Sequence, residues 1–270
     1  MQITAWTALP KWVSHSEHWF VLSDTHGRIE PFRELLAAAP EGARLIHLGD
    51  IADRGHNPYE CYQEIAARPN MVLVMGNHDM MAKRVLFDLN MCMNSYVQWM
   101  KLWMRNGGSV TMAEISENEE REALLTTVLE RQKLYHFDGN LFFVHSGLFP
   151  EDNFQELAQK EDMDIAEIHD IYVMHLTWRA DDWPQFWEQD ENCDWKGFPV
   201  KPFFIHGHKR CSRTHGRDYT NYGEKAEFLP REDTWRVGVD SCEGMSALEI
   251  KNGQYRFYDI DGAPFDENKQ

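Results

Sequence analysis

The sequence predicts an α/β fold, and two observations carry that prediction. Apolar runs of strand length recur along the chain, with helix-length segments between the first three. Five of these runs each end in a cluster drawn from Asp, Asn and His. In α/β folds a ligand site lies at the carboxyl ends of the strands, so the five clusters are expected to converge.

The elements follow in chain order. Residues 1–18, with Trp6, Trp12, His15 and His18, read as an arm packed on the domain. Trp19-Phe20-Val21-Leu22 is the first strand and exits into Ser23-Asp24-Thr25-His26-Gly27. In an extended exit, side chains two apart point to one side, so Asp24 and His26 could converge on one metal. A helix over 28–39 follows, ended by Pro40-Glu41-Gly42.

Leu45-Ile46-His47-Leu48 is the second strand, and His47 within it reads as a core histidine. The strand exits into Gly49-Asp50-Ile51-Ala52-Asp53-Arg54-Gly55. A carboxylate at the end of a buried strand is costly unless it is paired or binds a metal. With two oxygens Asp50 could bridge two cations, and Arg54 is near enough to hold an anion beside them. Asn57-Pro58 reads as an N-cap with Pro at the first helical position, opening a helix to about Arg68.

Met71-Val72-Leu73-Val74 is the third strand, exiting into Met75-Gly76-Asn77-His78-Asp79. Asn77 offers a neutral oxygen ligand and His78 a proton donor. A long apolar helical pattern runs from Met80 to about Arg105 and is broken by Asn106-Gly107-Gly108. Ser116-x-x-Glu119 reads as a capping box opening a charged helix to about Lys133. The fourth strand, Asn140 to Val144, exits into His145-Ser146-Gly147. The fifth, Lys201 to Ile205, exits into His206-Gly207-His208. From Trp235 the chain reads as sheet, with Asn252-Gly253 as a type I′ hairpin turn.

Composition bounds the function. The chain has 270 residues, 43% of them hydrophobic, with 10 Trp, enough for a sizeable core. Five scattered cysteines without a C-x-x-C suit a reducing cytoplasm better than a disulfide framework or zinc site. No apolar run has transmembrane length, and the start lacks the layout of a signal peptide. No membrane partner is therefore expected. The net charge is −17, and between Glu151 and Asp194 there are 14 acids against Lys160 and Arg179. That balance argues against a nucleic-acid partner, which needs clustered Lys and Arg. The acidic segment reads first as a solvated face and, as the alternative, as an acidic rim favouring basic peptides. Asp, Asn and His without Cys suit Mn²⁺, Fe or Zn²⁺ in a hydrolytic centre.

The set SDTHG, GDIADRG, GNHD, HSGL and HGHK resembles the phosphoprotein phosphatase family of metallophosphoesterases, in the right order over roughly residues 20–250. The compact bacterial and phage members are especially similar, sharing the stretches at Trp103–Gly108 and Trp178-Arg179. The resemblance implies a calcineurin-like sandwich of two mixed β-sheets flanked by helices. It makes 19–270 a single domain, with a helical insert at about 80–133 and the acidic segment at about 151–200 framing the site. It implies Asp24 and His26 as ligands of a first metal, and Asp50 as the bridging carboxylate. Asn77, His145 and His208 become ligands of a second, with His206 the competitor for the last place. His78 becomes the general acid, oriented by Asp53, and Arg54 the phosphate clamp, with Arg179 a second candidate.

The family likeness thus implies a hydrolase with two divalent ions, Mn²⁺ first and Fe, Zn²⁺ or Ni²⁺ next. Water activated between the ions attacks phosphorus directly, with no covalent enzyme intermediate. Met75 stands where many protein phosphatases have Arg, and Asp79 where they have Glu. An apolar residue at that place resembles the dinucleoside tetraphosphatases of the same family, whereas the intact Asp53-Arg54 pair is the phosphatase form. Phosphomonoesters, including phosphoserine and phosphothreonine proteins, are the expected substrates. Dinucleoside polyphosphates are the alternative, and an inactive phosphate-binding scaffold is a remote third.

Overall fold

The computed structural model describes residues 1–88, 91–116, 118–147, 177, 197–208, 236–240 and 244–260. Two mixed sheets face each other. The larger is built from β1 (Gln2–Ile3), β2 (Thr7–Ala8), β3 (Trp19–Leu22), β4 (Arg44–His47), β5 (Val72–Leu73), β10 (Met245–Lys251) and β11 (Gln254–Ile260). Its order is β1-β11-β10-β3-β4-β5, with β2 also on β11. Strands β3, β4 and β5 run parallel, and β10 and β11 complete the sheet antiparallel. The smaller sheet has the order β6-β7-β8-β9, from Tyr135–Asp138, Leu141–Val144, Phe203–His206 and Arg236–Gly238.

The pleat sorts the core into two layers. Trp19 and Val21 of β3, Ile46 of β4, and Leu248 and Ile250 of β10 meet Leu141, Phe143, Phe203 and Ile205 of the smaller sheet. Their neighbours Phe20, Leu22 and Ala247 point the other way, into a helical layer. Helix α1 (Ile29–Ala38) covers that face with Ile29, Phe32, Leu35 and Leu36, one side at helical spacing. Helix α2 (Pro58–Ala66) does so with Cys61, Tyr62 and Ile65. Helices α3 (Asn77–Phe87), α4 (Met93–Trp103), α5 (Ser109–Ile115) and α6 (Glu119–Glu130) complete the layer.

Several expectations are corrected. The apolar stretch from Met80 is two helices, because Asp88 leaves helical dihedrals at ψ 77° and α4 begins anew at Met93. Helix α3 starts earlier than expected, taking Asn77 and His78 into its first turn. Ser116 caps nothing downstream. Its hydroxyl donates to Met112 O, and the side chain of Asn118 caps α6 by accepting from Arg121 N at 3.1 Å. Asn57 precedes α2 as expected, with Pro58 at the start, but makes no side-chain capping bond. The first residues supply sheet edge, since Gln2–Ile3 and Thr7–Ala8 pair with β11. The hairpin turn is as read, with φ 52° at Asn252 and 71° at Gly253. Among the described residues no helix is long and apolar enough to cross a membrane. Most of the acidic segment, with Arg179, lies outside the described residues.

Candidate metal centre

The carboxyl ends of β3, β4, β5, β7 and β8 lie on one side of the sandwich. Beyond β3 and β4 the backbone pairing continues, with Asp24 N donating to Gly49 O and His26 N to Asp50 O, both at 3.0 Å. The two exit loops therefore leave together. Gly49 has φ 99°, and a Cβ there would collide with the backbone of Gly76, so β4 and β5 approach as closely as they do only with glycine at this place.

Nine of the expected site residues meet here. Asp50 Oδ2 lies 3.4 Å from His145 Nε2, 3.6 Å from His26 Nε2 and 4.0 Å from His78 Nε2. Asp24 Oδ1 is 3.9 Å from His26 Nε2, and Asn77 Oδ1 is 3.2 Å from His145 Nε2. His208 closes on Asp50 and His145, and its backbone N–H donates to Asp24 Oδ2 at 3.0 Å. His206 lies buried at the end of β8, with Nδ1 3.0 Å from Gly207 O. Among the described residues two groups of possible ligands result, His26-Asp50-His78 and Asp50-His145-His208, with Asp50 common to both.

The donor chemistry fits divalent ions. His26 Nδ1 faces Ala52 O at 3.2 Å, and His145 Nδ1 faces Leu48 O at 2.7 Å. A carbonyl accepts only, so each Nδ1 carries a proton, which leaves Nε2, on the Asp50 side, as the nitrogen a metal could take. This is how outer hydrogen bonds orient a ligating imidazole. His47 differs. Its Nε2 meets Thr25 Oγ1 at 2.6 Å and its Nδ1 accepts from Gly49 N, so both nitrogens are bound within the protein. Burial, joined by the charge of His145, pushes its pKa down to about 3.

Charged and titratable groups are concentrated here in a buried place. Burial alone would raise Asp50, but His145, His78 and His26 outweigh it and hold the carboxyl well below its usual range. Burial would lower His145, yet Asp50 and then Asp24 push it up to about 10. Burial drives His26 well down, helped by Arg54 and His78. Such opposed shifts within one cluster are typical of functional sites.

Within the same cluster, His78 Nδ1 sits 2.7 Å from Asp53 Oδ2. Arg54 Nη2 lies 3.0 Å from His78 Nε2, and Arg54 Nη1 lies 3.4 Å from His26 Nε2. Asp24, His26, Asp50, Asp53, Arg54 and His208 all have positive φ, between 45° and 69°. Among described non-glycine residues only Asn252, in its hairpin turn, shares that conformation. Left-handed backbone persists where the surroundings over-determine it.

Sequence reasoning assigned no role to several residues that hold this cluster. Asp79 accepts from Asp50 N at 2.8 Å, Gly76 N at 2.9 Å and Ile51 N at 3.3 Å, tying the second motif to the third. Arg28 donates to Asp24 O, Thr25 O and Gly244 O. Trp103 and Thr111 donate to Asp53. The Trp103 stretch and Asp79, the last residue of GNHD, had a signal in their likeness to related sequences.

A two-sheet sandwich whose strand ends gather His and Asp groups suited to a dinuclear site defines a metallophosphoesterase. The chain belongs to the calcineurin-like phosphoesterase family, whose model matches residues 20–234. Over 173 residues it is 27% identical to a symmetrical bis(5′-nucleosyl)-tetraphosphatase of Nitrosospira multiformis, covering 61% of this chain and 58% of that protein. It thus spans less than two thirds of that relative's length. A protein serine/threonine phosphatase from Saccharomyces cerevisiae superposes with a TM-score of 0.59 at 13% identity, over 94% of this chain and 82% of that one. A metallophosphoesterase from Sphaerobacter thermophilus gives 0.50 at 17% identity, over 92% and 89%. At such identities these likenesses are of fold.

Proposed function

We propose that this protein is a dimetal phosphoester hydrolase that removes phosphate from phosphomonoesters, phosphoserine and phosphothreonine proteins among them. One observation carries the reading. A buried carboxylate, Asp50, has three imidazoles within 3.4–4.0 Å, and the Arg54 guanidinium stands 3.0–3.4 Å from two of them.

Asp24, His26 and Asp50 would hold one ion, and Asp50, Asn77, His145 and His208 the other. Mixed carboxylate, amide and imidazole donors suit Mn²⁺, with Fe, Zn²⁺ and Ni²⁺ as competitors. Such ions, when bound, neutralise phosphoryl charge and make water a nucleophile near neutral pH. The chain's own groups supply the rest. Arg54 offers a planar fork to phosphoryl oxygens. His78 donates a proton to the leaving oxygen as its bond to phosphorus breaks, and Asp53 keeps the ring aligned through Nδ1. The water oxygen ends on phosphorus and the alcohol leaves neutral. Arg179 remains a second candidate for a phosphate contact.

The His78–Asp53 pair favours monoesters of alcohols. An alkoxide leaves poorly unless it is protonated, whereas a phosphate released from an anhydride needs little help. The second reading is hydrolysis of dinucleoside tetraphosphates, favoured by the Nitrosospira relative and by Met75 before the third motif.

Metal-stripped protein re-supplied with Mn²⁺ tests both. A phosphoserine or phosphothreonine peptide and a dinucleoside tetraphosphate are assayed side by side. Peptide turnover with little nucleotide release is expected. The reverse would move the enzyme to the anhydride reading and recast Arg54 as a polyphosphate clamp.

A further inference from the structure

The stretch from Trp103 to Gly108 carries no metal ligand, yet it wraps the Asp53–Arg54 corner. Helix α4 ends at Trp103, and Met104–Gly108 form a π-turn before α5. Gly107 O accepts from Arg54 N at 3.2 Å. Gly107 has φ 94°, and a Cβ there would lie 2.8 Å from Arg54 Cγ. A Cβ at Gly108 would run into the Trp103 indole. The glycines let the turn close on both side chains.

From either side of that turn the Asp53 carboxylate is held at both oxygens. The buried Trp103 donates its indole N–H to Oδ2 at 2.8 Å, the same oxygen that faces His78 Nδ1 at 2.7 Å. Thr111 donates its hydroxyl to Oδ1 at 2.6 Å and accepts from Asp53 N at 3.0 Å. Two donors besides His78 thus fix the rotation of the carboxylate, and hence the direction from which it grips the ring. With either removed, Asp53 gains freedom to turn and the ring loses its aim. Alignment of a proton donor is worth rate only in the step that uses it.

We infer that Trp103 and Thr111 are positioning residues for proton transfer, acting through Asp53 on His78. The inference rests on the proposed proton-donor role of His78. It separates them from residues that merely fill the core, because misalignment of a proton donor hurts most where the leaving group most needs a proton.

The test uses the full chain loaded with Mn²⁺ and two substrates, a phosphoserine peptide and para-nitrophenyl phosphate, whose phenolate leaves readily without protonation. Trp103→Phe keeps an aromatic ring and removes the N–H. Thr111→Val keeps the shape and removes the hydroxyl. Each is expected to lower kcat on the phosphoserine peptide roughly tenfold or more, and on the aryl ester by less than about threefold, with KM little changed. Thr111→Ser should restore the peptide rate. In metal-free protein, the indole N–H resonance missing from Trp103→Phe should move in Asp53→Asn.

His78→Asn is the reference. Equal losses on both substrates in Trp103→Phe and Thr111→Val, while His78→Asn keeps the selective loss, overturn this inference alone. Equal losses in His78→Asn as well remove the proton-donor reading and this inference with it. An indole resonance that does not respond to Asp53→Asn also overturns it. Should Trp103→Phe fail to fold, Thr111→Val and its serine rescue decide the question.

Discussion

His145 Nδ1 lies 2.7 Å from the carbonyl oxygen of Leu48, so a ring carried by the smaller sheet is oriented by the backbone of the larger one. The Nε2 that results faces Asp50 at 3.4 Å. The two halves of the site are thereby held in one register across the sandwich. His145→Ala removes a proposed ligand and this tie together. Mn²⁺ affinity should fall by more than the roughly 10–100-fold that loss of an outer hydrogen-bond partner costs. Titration calorimetry on the metal-free variant checks it, and unchanged affinity would remove His145 from the ligand set.

Among the described residues Asp50 is the carboxylate shared by both groups of possible ligands, which makes it the position where metal loading is best tested. An ion that binds only the folded state raises stability by about 2.7 kcal/mol at a hundredfold excess over its Kd. Mn²⁺ should therefore raise the melting temperature of the natural protein and leave Asp50→Asn nearly unmoved. A chelator should reverse the shift in the former. Equal metal-induced shifts in both proteins would argue that Asp50 holds no ion.

Arg54 Nη1 and Nη2 stand beside His26 and His78, the place the proposed clamp gives to a phosphoryl group. Lysine keeps the charge but loses the fork. Arg54→Lys should raise KM for a phosphopeptide and weaken inhibition by inorganic phosphate roughly 10–100-fold, the worth of one charge-assisted hydrogen bond. Steady-state kinetics with phosphate as competitor reads both numbers. A change in kcat alone would mean that Arg54 acts on the transition state without gripping the ground state.

Much of this site was legible because its parts are local. Asp24 with His26, Asp50 with Asp53 and Arg54, and Asn77 with His78 each sit within one loop, and apolar strands before them say where the loops point. The hairpin at Asn252-Gly253 was legible for the same reason, since two residues suffice to define its turn. What escaped was tertiary. Asp79 reaches back 29 residues to Asp50 N, and Thr111 reaches 58 residues to Asp53. No pattern along the chain encodes such a bond. The strands at Gln2–Ile3 and Thr7–Ala8 were invisible because two residues cannot show alternation. The Ser116 capping box failed because Asn118, two residues on, is as good a cap and lies nearer the helix.

Asp138, at the end of β6, pins the chain just before β3. Its carboxylate accepts from Ser16 N at 2.9 Å, Ser16 Oγ at 2.6 Å, Glu17 N at 3.0 Å and Trp19 Nε1 at 2.8 Å. Burial opposes the charged form, but the donors, Ser16 and Trp19 foremost, outweigh it and lower the carboxyl pKa. A folded-state value below the unfolded one means stability that is present above the unfolded pKa of about 4 and lost as pH falls through the folded value. Asp138→Asn should cost about 1.5–3 kcal/mol at pH 7, the worth of hydrogen bonds to a charged acceptor. As pH falls below the unfolded value and toward the lowered folded one, the natural protein progressively loses that contribution, so the gap between the two proteins should narrow. Urea unfolding of both at pH 7 and pH 3 measures it. A gap that stays constant between those pH values would mean that the carboxylate charge contributes nothing there, and that shape alone anchors β3.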